Sequence, residues 1–437
     1  MTGNDPISLF WFRRDLRLSD NCGLYHALNA GLPVMPLFIF DKNILDPLPA
    51  HDARVSFIYQ TLRDLKSALR GRNTDLVVRY GFPDEVFGQL CRDYNIKAVY
   101  TNRDYEPYAT SRDWRIFEIL RKEGAVLHTF KDQVIFEKNE ILTRNGRPFT
   151  VYTPYRKAWQ SELQSGDFAP YPSENLSENY LRFRAPDLPK PSEIGFQPVT
   201  LDIPSPDPSD EILASYDLDR DYPARNGTTK LGVHLRFGTV CIRGLVRKAL
   251  ELSDTWLGEL IWREFFMMIL ANFPDVVDRP FDQRYDNIAW RDDPGAFERW
   301  CEGMTGYPLI DAGMRELNET GYMHNRVRMV TAGFLAKHLL IDWRLGERYF
   351  AAKLLDYDLA ANNGNWQWAA GCGCDAAPYF RIFNPHLQAE KFDPENRYIK
   401  KWVPEFGTAS YPEPIVDHKA ARERALAVYG DAMKKTG

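Results

Sequence analysis

Cysteine is scarce in this sequence, and its placement excludes the common metal-binding patterns. The 437 residues include six cysteines, of which four are scattered and two, Cys372 and Cys374, form a C-x-C pair. Zinc and iron–sulfur sites are usually built from C-x-x-C pairs or from Cys/His clusters at characteristic spacings, and the sequence contains neither. We therefore expect reduced thiols and no metal site.

Long apolar runs and a leader-like start are missing too. No apolar stretch approaches the roughly 20 residues of a membrane-spanning helix, and the first residues do not show a basic segment followed by an apolar one. The phosphate-binding patterns G-x-G-x-x-G and Walker A are also absent, so a standard dinucleotide or nucleoside-triphosphate site has no support. The sequence predicts a cytoplasmic protein without a membrane segment, and we expect a monomer.

Positive charge is too sparse for a protein that covers a long stretch of nucleic acid. The chain has 55 Lys and Arg against 60 Asp and Glu, which gives a net charge of −5 and a pI of about 6.0. Because phosphate binding depends on local cations, a small basic face is still compatible with this balance.

Aromatic residues are abundant, with 11 Trp, 22 Tyr and 26 Phe. Two interpretations remain open at this point. The rings either fill large hydrophobic cores or also form a site that stacks planar ligands such as a flavin or nucleobases.

The first 130 residues alternate short apolar runs with amphipathic segments. The runs 7–12, 34–40, 76–80, 98–101 and 126–130 are nearly continuous apolar stretches, as expected of parallel strands that are buried on both faces. Helical patterns lie between them, at 21–30, 53–70, 84–94 and 110–123. This alternation predicts an α/β domain with a doubly wound parallel sheet over residues 1–130.

The rest of the chain divides into a connector and a helical region. Residues 131–205 read as an interdomain linker with some helix at 155–163, and nine prolines fall between Pro170 and Pro208. From 206 to 437 the apolar spacing is helical, most clearly at 257–270, 307–318, 326–340 and 347–355. We therefore predict a second, all-α domain over 206–437.

Polar and aromatic groups that suit a planar ligand are concentrated in residues 356–368, which read DYDLAANNGNWQW. Asp356 and Asp358 are two positions apart and should serve different partners. The sequence at 362–364, Asn-Asn-Gly, is typical of a turn or helix end. Trp366 and Trp368 follow it. The segment either binds a heteroaromatic ring by stacking and edge hydrogen bonds, or holds two core tryptophans beside a turn.

Two further segments have the same mixed character. Residues 323–329 (MHNRVRM) place Arg326 and Arg328 where guanidinium groups could bind a phosphate and a carboxylate, or simply face solvent. In 259–266 (ELIWREFF), helical spacing puts Glu259 on one face with Trp262 and Arg263. The alternative for this segment is an ordinary ion pair between Glu259 and Arg263.

These motifs, in this order, resemble the photolyase/cryptochrome family, and within it the class I (bacterial-type) cyclobutane pyrimidine dimer photolyases. The opening 9–21 (LFWFRRDLRLSDN) is similar to the first strand and loop of that family, and similar segments recur at 227–238, 305–317, 341–350 and 356–385. The resemblance implies light-driven repair of pyrimidine dimers in UV-damaged DNA by electron transfer from reduced FAD (FADH⁻) held in an all-α FAD-binding domain.

The resemblance also implies a set of cofactor-binding positions in this sequence. Gly232 departs from the family pattern, in which serine is common, so a side-chain hydroxyl is lost there. Asn362 matches the residue that faces flavin N5, and Asp356 is expected to pair with Arg328. The matching positions are Tyr216, Thr228, Thr229, Lys230, Leu231, Gly232, Trp256, Arg263, Asn325, Arg328, Asp356, Asp358 and Asn362.

For DNA and for electron supply, the resemblance implies a different set of positions. Trp262 and Trp368 match the aromatic pair that flanks a dimer flipped out of the duplex, and Glu259 the residue that can hydrogen-bond to thymine edges. The DNA-binding set is Arg220, Trp262, Arg326, Met329, Trp368 and Arg381, and the tryptophan chain that photoreduces the flavin is Trp290, Trp343 and Trp366.

The motifs leave several questions of function open. A (6-4) photolyase typically has a His-His pair where His324 stands alone, so we expect His324 to be structural. A cryptochrome photoreceptor, a photolyase that prefers single strands, and a flavoprotein oxidoreductase, which would need a nicotinamide site, are the competing functions. Residues 38–42 and 102–107 resemble the lining of an antenna pocket, for methenyltetrahydrofolate, a deazaflavin, a second flavin or no chromophore, or else are ordinary loops.

Overall fold

The computed structural model describes residues 5–434 and divides into two compact units. The first unit comprises Met1–Glu137, Glu162–Pro206 and Leu231–Glu251, and the second comprises Lys138–Ser161, Asp207–Lys230 and Leu252–Gly437. This division differs from the three consecutive parts 1–130, 131–205 and 206–437 that the sequence suggests.

Contacts made by two segments explain the difference. Residues 138–161 belong to the helical unit because Tyr152 and Trp159 hydrogen-bond to Gly258 O and to Glu264, at 2.7 and 2.6 Å. Residues 231–251 belong to the α/β unit, where Arg243 hydrogen-bonds at 2.8 Å to carboxylate oxygens of both Asp20 and Asp132. Neither partner is signalled by sequence spacing.

The first unit is an α/β domain around a parallel five-stranded sheet, which confirms the predicted fold class. Its strands are β1 Pro6–Phe12, β2 Val34–Asp41, β3 Val77–Gly81, β4 Asn95–Asn102 and β5 Val126–Phe130, in the order β3-β2-β1-β4-β5. Apolar side chains of β1, β2 and β4 form the core. The helices are α1 Cys22–Leu28, α2 Lys42–Leu45, α3 Ala53–Arg70, α4 Pro83–Asp93, α5 Pro107–Lys122, α9 Gly232–Phe237 and α10 Ile242–Leu252.

The second unit consists of helices and loops around a large aromatic core. Its helices are α6 Tyr152–Glu162, α7 Asp210–Ala214, α8 Tyr216–Asp219, α11 Asp254–Asn272, α12 Pro294–Glu302, α13 Pro308–Thr320, α14 Asn325–Gly333, α15 Trp343–Lys353, α16 Leu359–Ala370, α17 Pro385–Phe392, α18 Arg397–Trp402 and α19 His418–Lys434. A π-helical segment, Phe334–His338, follows α14 directly. The helix predicted at 326–340 is therefore interrupted.

One local prediction was wrong. Asn362, Asn363 and Gly364 do not end a helix but lie inside α16. Packing favours glycine there, because a Cβ on Gly364 would lie 2.2 Å from the ring of Phe266. The helix instead ends at Gly371, whose φ of 88° is a conformation that glycine adopts without strain.

Two specific features, a helix long and apolar enough to span a membrane and a metal-binding cluster, are absent from the described residues. Across residues 5–434, no helix combines the length and apolarity needed to cross a bilayer. The same residues contain no cluster of three or more His, Cys, Asp or Glu side chains arranged to hold a metal ion. The six cysteines are free thiols.

Candidate functional site

A cavity of about 90 Å³ lies in the helical unit, among α14, α15, α16 and the turn before α16. Four of its lining residues come from one face of α14, because positions i, i+3, i+4 and i+7 of a helix point the same way. The turn before α16 and α16 itself supply most of the rest. The lining includes seven residues expected in the site, Asn325, Arg328, Met329, Asp356, Asp358, Asn362 and Trp366.

An ion pair between Arg328 and Asp356 lies in the wall of this cavity. Arg328 Nη2 donates to both carboxylate oxygens of Asp356, at 3.2 and 2.9 Å, and Arg328 Nε donates to Met323 O at 2.6 Å. Burial alone would lower the pKa of Arg328. The adjacent Asp356, with Tyr322 and Glu316 adding to it, outweighs burial, and the pKa is raised. The expected pairing is therefore confirmed, and a charged guanidinium is fixed beside the cavity.

Asp358 has a different partner from Asp356, as their spacing predicted. It is the N-cap residue of α16, and its side chain accepts a hydrogen bond from Ala361 N at 3.2 Å. Capping satisfies a backbone N–H that the helix cannot pair internally. Asp358 thus fixes the start of the helix that carries Asn362 and Trp366 to the cavity.

Asn362 is oriented by a residue that the sequence analysis did not identify. Its Nδ2 donates to Glu347 Oε1 at 2.8 Å and to Glu347 O at 3.2 Å, and burial raises the pKa of Glu347. With the amide nitrogen turned to Glu347, the amide oxygen is the acceptor available to a ligand in the cavity. Glu347 lies on α15 and Asn362 on α16, so no spacing rule connects them.

The remaining expected cofactor residues do not line this cavity. Tyr216 and Trp256 are buried in the helical unit. Thr228 Oγ1 lies 3.4 Å from Tyr322 Oη, and Lys230 lies over the ring of Tyr322. In the α/β unit, Leu231 is buried and Gly232 begins α9. For these residues, and for Thr229 and Arg263, the cofactor role stays a prediction.

Glu259 and Trp262, on one face of α11, have partners outside that helix. Glu259 Oε1 accepts a hydrogen bond from Arg220 Nη1 at 2.6 Å, so the ion pair observed at Glu259 is with Arg220. The half-buried Trp262 stacks on Tyr152, with ring centroids 3.6 Å apart and planes 8° from parallel. The structure thus brings together three residues expected to contact DNA or its lesion, Glu259, Arg220 and Trp262, with the unpredicted Tyr152.

The other expected DNA-binding residues differ in their exposure and in their contacts within the protein. Arg326 Nη2 donates to Asp221 Oδ1 at 2.7 Å, and its guanidinium lies over the ring of Phe392. Trp368 is partly buried against the core, and Arg381 is exposed. Met329 lines the cavity and lies beside Arg326.

The three expected electron-transfer tryptophans all lie in or against the core of the helical unit. The ring contacts of Trp366 are with Phe350, at 5.0 Å between centroids, and with Trp300, at 6.1 Å. Gly346 leaves room for this indole, since a Cβ there would lie 2.2 Å from Trp366 Cη2. Trp343 is buried, and Trp290 is half-buried with an edge contact to Tyr429 at 6.0 Å. Trp300 carried no sequence signal beyond being a tryptophan.

The segment expected to line an antenna pocket is occupied by hydrogen bonds within the α/β unit. Asn102 Nδ2 donates to Asp15 at 2.6 Å, and Tyr105 Oη donates to Glu137 at 2.8 Å. Asp104 and Glu106 both accept from Arg14, at 3.1 and 3.0 Å. In the neighbouring segment Asp41 accepts from Tyr108 at 2.5 Å. These side chains of the two segments therefore have hydrogen-bond partners within the α/β unit.

The polar groups around the cavity in the helical unit fit a flavin. A guanidinium–carboxylate pair, an oriented amide and an indole wall are the groups that hold an aromatic ring with polar edges. The cavity also lies in a part of the chain that is similar to a known cofactor-binding domain.

Two family models match this chain. One, described as DNA photolyase, matches residues 8–175, and the other, described as FAD binding domain of DNA photolyase, matches residues 256–410. A deoxyribodipyrimidine photo-lyase of Synechococcus is 38% identical over 97% of this chain and 96% of that protein.

Three solved structures are similar over nearly the whole chain. A class III photolyase from Agrobacterium tumefaciens has a TM-score of 0.87 and 34% identity, with 98% of each chain covered. A cryptochrome from Synechocystis has a TM-score of 0.84 and 26% identity, covering 98% of this chain and 100% of that one. A photolyase from Sulfolobus tokodaii, described with two FAD molecules, has a TM-score of 0.79 and 33% identity, covering 97% and 99%.

Proposed function

The chain belongs to the photolyase/cryptochrome family, and from this premise we propose that it repairs cyclobutane pyrimidine dimers in DNA by light-driven electron transfer from reduced FAD. At the coarser level it is a DNA photolyase with FAD as its cofactor. The pyrimidine dimer as substrate, FADH⁻ as the active form and the class I subtype are parts of the proposal.

One observation carries the proposal: the cavity in the matched FAD-binding segment is lined by Asn362, fixed by Glu347, and by the Arg328–Asp356 pair. By resemblance, the amide of Asn362 faces flavin N5. An amide is a much weaker acid than a carboxylic acid, so it does not protonate N5. This suits an enzyme that works with the anionic reduced cofactor. FAD, when bound, supplies the electron that opens the dimer and receives it back.

The residues of the chain supply binding, orientation and water exclusion. Arg328 provides a fixed positive charge at the flavin, and Asp358 holds the start of α16. Trp262 offers an indole plane on which an unstacked pyrimidine can lie, a contact that contributes about 1–3 kcal/mol per base. Glu259, held by Arg220, presents a carboxylate that can hydrogen-bond to a pyrimidine edge.

Residues 323–329 bear on which lesion the protein repairs. The Met-His-Asn-Arg sequence has one histidine, His324, and burial lowers its pKa to about 4, so it is neutral at physiological pH. His324 Nδ1 accepts a hydrogen bond from Arg326 N, so this ring nitrogen caps α14. This favours cyclobutane dimers over (6-4) lesions as the substrate.

The test uses purified protein reconstituted with FAD and reduced by light. Oligonucleotides with one thymine dimer, single-stranded or in a duplex, are exposed to blue light, and the return of thymine absorbance is measured, with dark samples as controls. We expect repair of both only in light, and little repair with Trp262→Ala. Repair of the single strand alone would support a single-strand-preferring enzyme. Absence of repair despite bound, reducible flavin would support a cryptochrome and overturn the proposal.

A further inference from the structure

The loop of residues 371–384, between α16 and α17, presents a hydrophobic and a basic side chain to solvent. Phe380 is 60% exposed, and Arg381 beside it is exposed as well. An exposed phenyl ring next to a guanidinium suits contact with nucleic acid, where rings stack on bases and Arg binds phosphates. The position of this loop therefore bears on DNA binding.

The loop is held to the helical unit at several points. Asp375 Oδ2 accepts a hydrogen bond from Tyr152 N at 3.0 Å, and Tyr152 is the residue stacked on Trp262. Closer to the exposed pair, Arg381 N donates to Pro378 O at 2.8 Å and closes a turn. The carbonyl of Arg381, at the end of that turn, accepts a hydrogen bond from Lys337 Nζ at 3.0 Å.

Lys337, which holds the loop through this hydrogen bond, is unusual because it is a buried lysine. It is 3% exposed and lies in the π-helical segment Phe334–His338, an irregular helix type that is often found at functional sites. In the part of the chain that the structure describes, no carboxylate lies within ion-pair distance of Lys337, and the hydrogen bond from its Nζ goes to Arg381 O. A buried charge without an ion partner is costly, and the hydrogen bond to Arg381 O offsets part of the cost of burying the Lys337 ammonium.

We propose that Lys337 is a positioning residue that holds the 371–384 loop, and with it Arg381, in the conformation that binds DNA, and that it does so most firmly while its amine is protonated. The importance of the loop for DNA rests on the proposed function, whereas the anchoring of the loop by Lys337 does not. According to this proposal, DNA affinity falls at alkaline pH, where Lys337 loses its proton.

Lys337 has a pKa near 8, whereas the pKa values of its neighbours Cys372 and His338 lie far from 8. Burial lowers the pKa of Lys337 to about 8, while Cys372 opposes this shift and Arg381 adds to it. Burial raises the pKa of the Cys372 thiol far above this range, and burial lowers the pKa of His338 to about 3. Above pH 8 the ammonium becomes an amine, and a neutral donor forms a hydrogen bond about half as strong as a charged one.

The first arm of the experiment measures the loop without DNA. Trypsin cleaves after Arg381, and mass spectrometry follows the new terminus at Ile382, normalised to a free peptide with the loop's sequence. For the wild type we expect slow cleavage at pH 7.5 and about fivefold faster cleavage at pH 9.5. The reason is that the hydrogen bond from Lys337 to Arg381 O weakens when the ammonium loses its charge. Lys337→Met should be cleaved fast at both pH values. Lys337→Arg, which stays charged, should restore protection at both.

The second arm measures binding to an oligonucleotide with a thymine dimer between pH 7 and 9.5. We expect wild-type affinity to fall about fivefold with a midpoint near pH 8, and Lys337→Met to be weaker with a flat profile. Lys400→Met is the matched control, because it removes an exposed lysine. It should leave the fall in affinity and its midpoint as in the wild type.

The outcomes separate the two proposals. If trypsin cleaves wild type and Lys337→Met alike at every pH, Lys337 does not anchor the loop and the inference is wrong. If the loop is released but affinity and its pH profile are unchanged, the anchoring does not position a DNA contact and that part is overturned. If wild type does not distinguish dimer-containing from undamaged DNA, the proposed function fails, while the trypsin arm still decides the role of Lys337.

Discussion

At the scale of single residues, the polar side chains of the candidate site are oriented by hydrogen bonds with neighbouring side chains. Asn362 presents its amide oxygen because Glu347 holds its nitrogen, and Glu259 is held by Arg220. Sequence reasoning found Asn362 and Glu259 through the family motif. It missed Glu347 because no regular spacing links residues of two packed helices.

Tyr152 offers a test at this scale, because its ring covers Trp262 and its hydroxyl donates to Gly258 O. We expect Tyr152→Ala to weaken binding of dimer-containing DNA about tenfold, since aromatic pairs contribute about 0.5–1.5 kcal/mol beyond the area they bury. Tyr152→Phe keeps the ring and loses one hydrogen bond, so its affinity should stay within about threefold of wild type. Fluorescence anisotropy with labelled duplexes measures both. Equal losses in the two variants would mean that the hydroxyl, not the stack, is what matters.

At the scale of elements, capping and close packing place the site helices. His324 is the N-cap residue of α14 and Asp358 that of α16, and the side chain of each accepts a hydrogen bond from a backbone N–H in the first turn of its helix. Gly364 and Gly346 let α16 approach its neighbours, at Phe266 and through Trp366. The sequence pattern of α16 indicated a turn because Asn-Asn-Gly is locally a helix-ending signal, and tertiary packing overrode that preference.

The cap at His324 predicts an acid-dependent stability. Burial, with Arg328 adding to it, lowers the pKa of His324 to about 4 in the folded protein, against an ordinary value of 6.5. The unfolded chain therefore binds more protons between these values, so the free energy of unfolding falls as pH drops from 6.5 to 4. At one pKa unit per ~1.4 kcal/mol, this residue contributes a loss of about 3 kcal/mol over that window.

His324→Asn isolates this effect, because asparagine caps helices and does not titrate. We expect the urea midpoint of wild type to fall more steeply than that of the variant between pH 6.5 and 4.5, while the two curves run parallel above pH 7. Other buried histidines affect both proteins equally and cancel in the difference. Parallel curves throughout the acid range would show that His324 does not exchange a proton on unfolding.

At the scale of the whole molecule, the charge balance limits how the protein can hold DNA. The net charge is −5, and two of the three arginines expected at phosphates, Arg220 and Arg326, already pair with Glu259 and Asp221. Arg381 is the exposed member of the three. Affinity should therefore come more from lesion stacking and shape than from an extended ionic footprint.

The salt dependence of binding measures how many phosphates the protein contacts. With at most three phosphate contacts, the slope of log affinity against log salt concentration should be no steeper than about −3, since each contact contributes about −0.9. Arg381→Gln should reduce the slope by about one and weaken binding to damaged and undamaged DNA alike, because a phosphate contact carries no lesion specificity. A slope near −8 for the wild type would indicate a long ionic footprint instead.

The sequence by itself determined the class of both units and the family. Strand–helix alternation and helical periodicity are local patterns, and the motifs at 9–21 and 356–385 are contiguous, so each can be recognised without coordinates. The expected Arg328–Asp356 pair also came from the motifs. Only the tertiary structure decided which side chains support them: Glu347 at Asn362, Tyr152 at Trp262 and Lys337 at Arg381. Such contacts join residues distant in the chain, and they form because burial forces each polar group or ring to find a partner across helices.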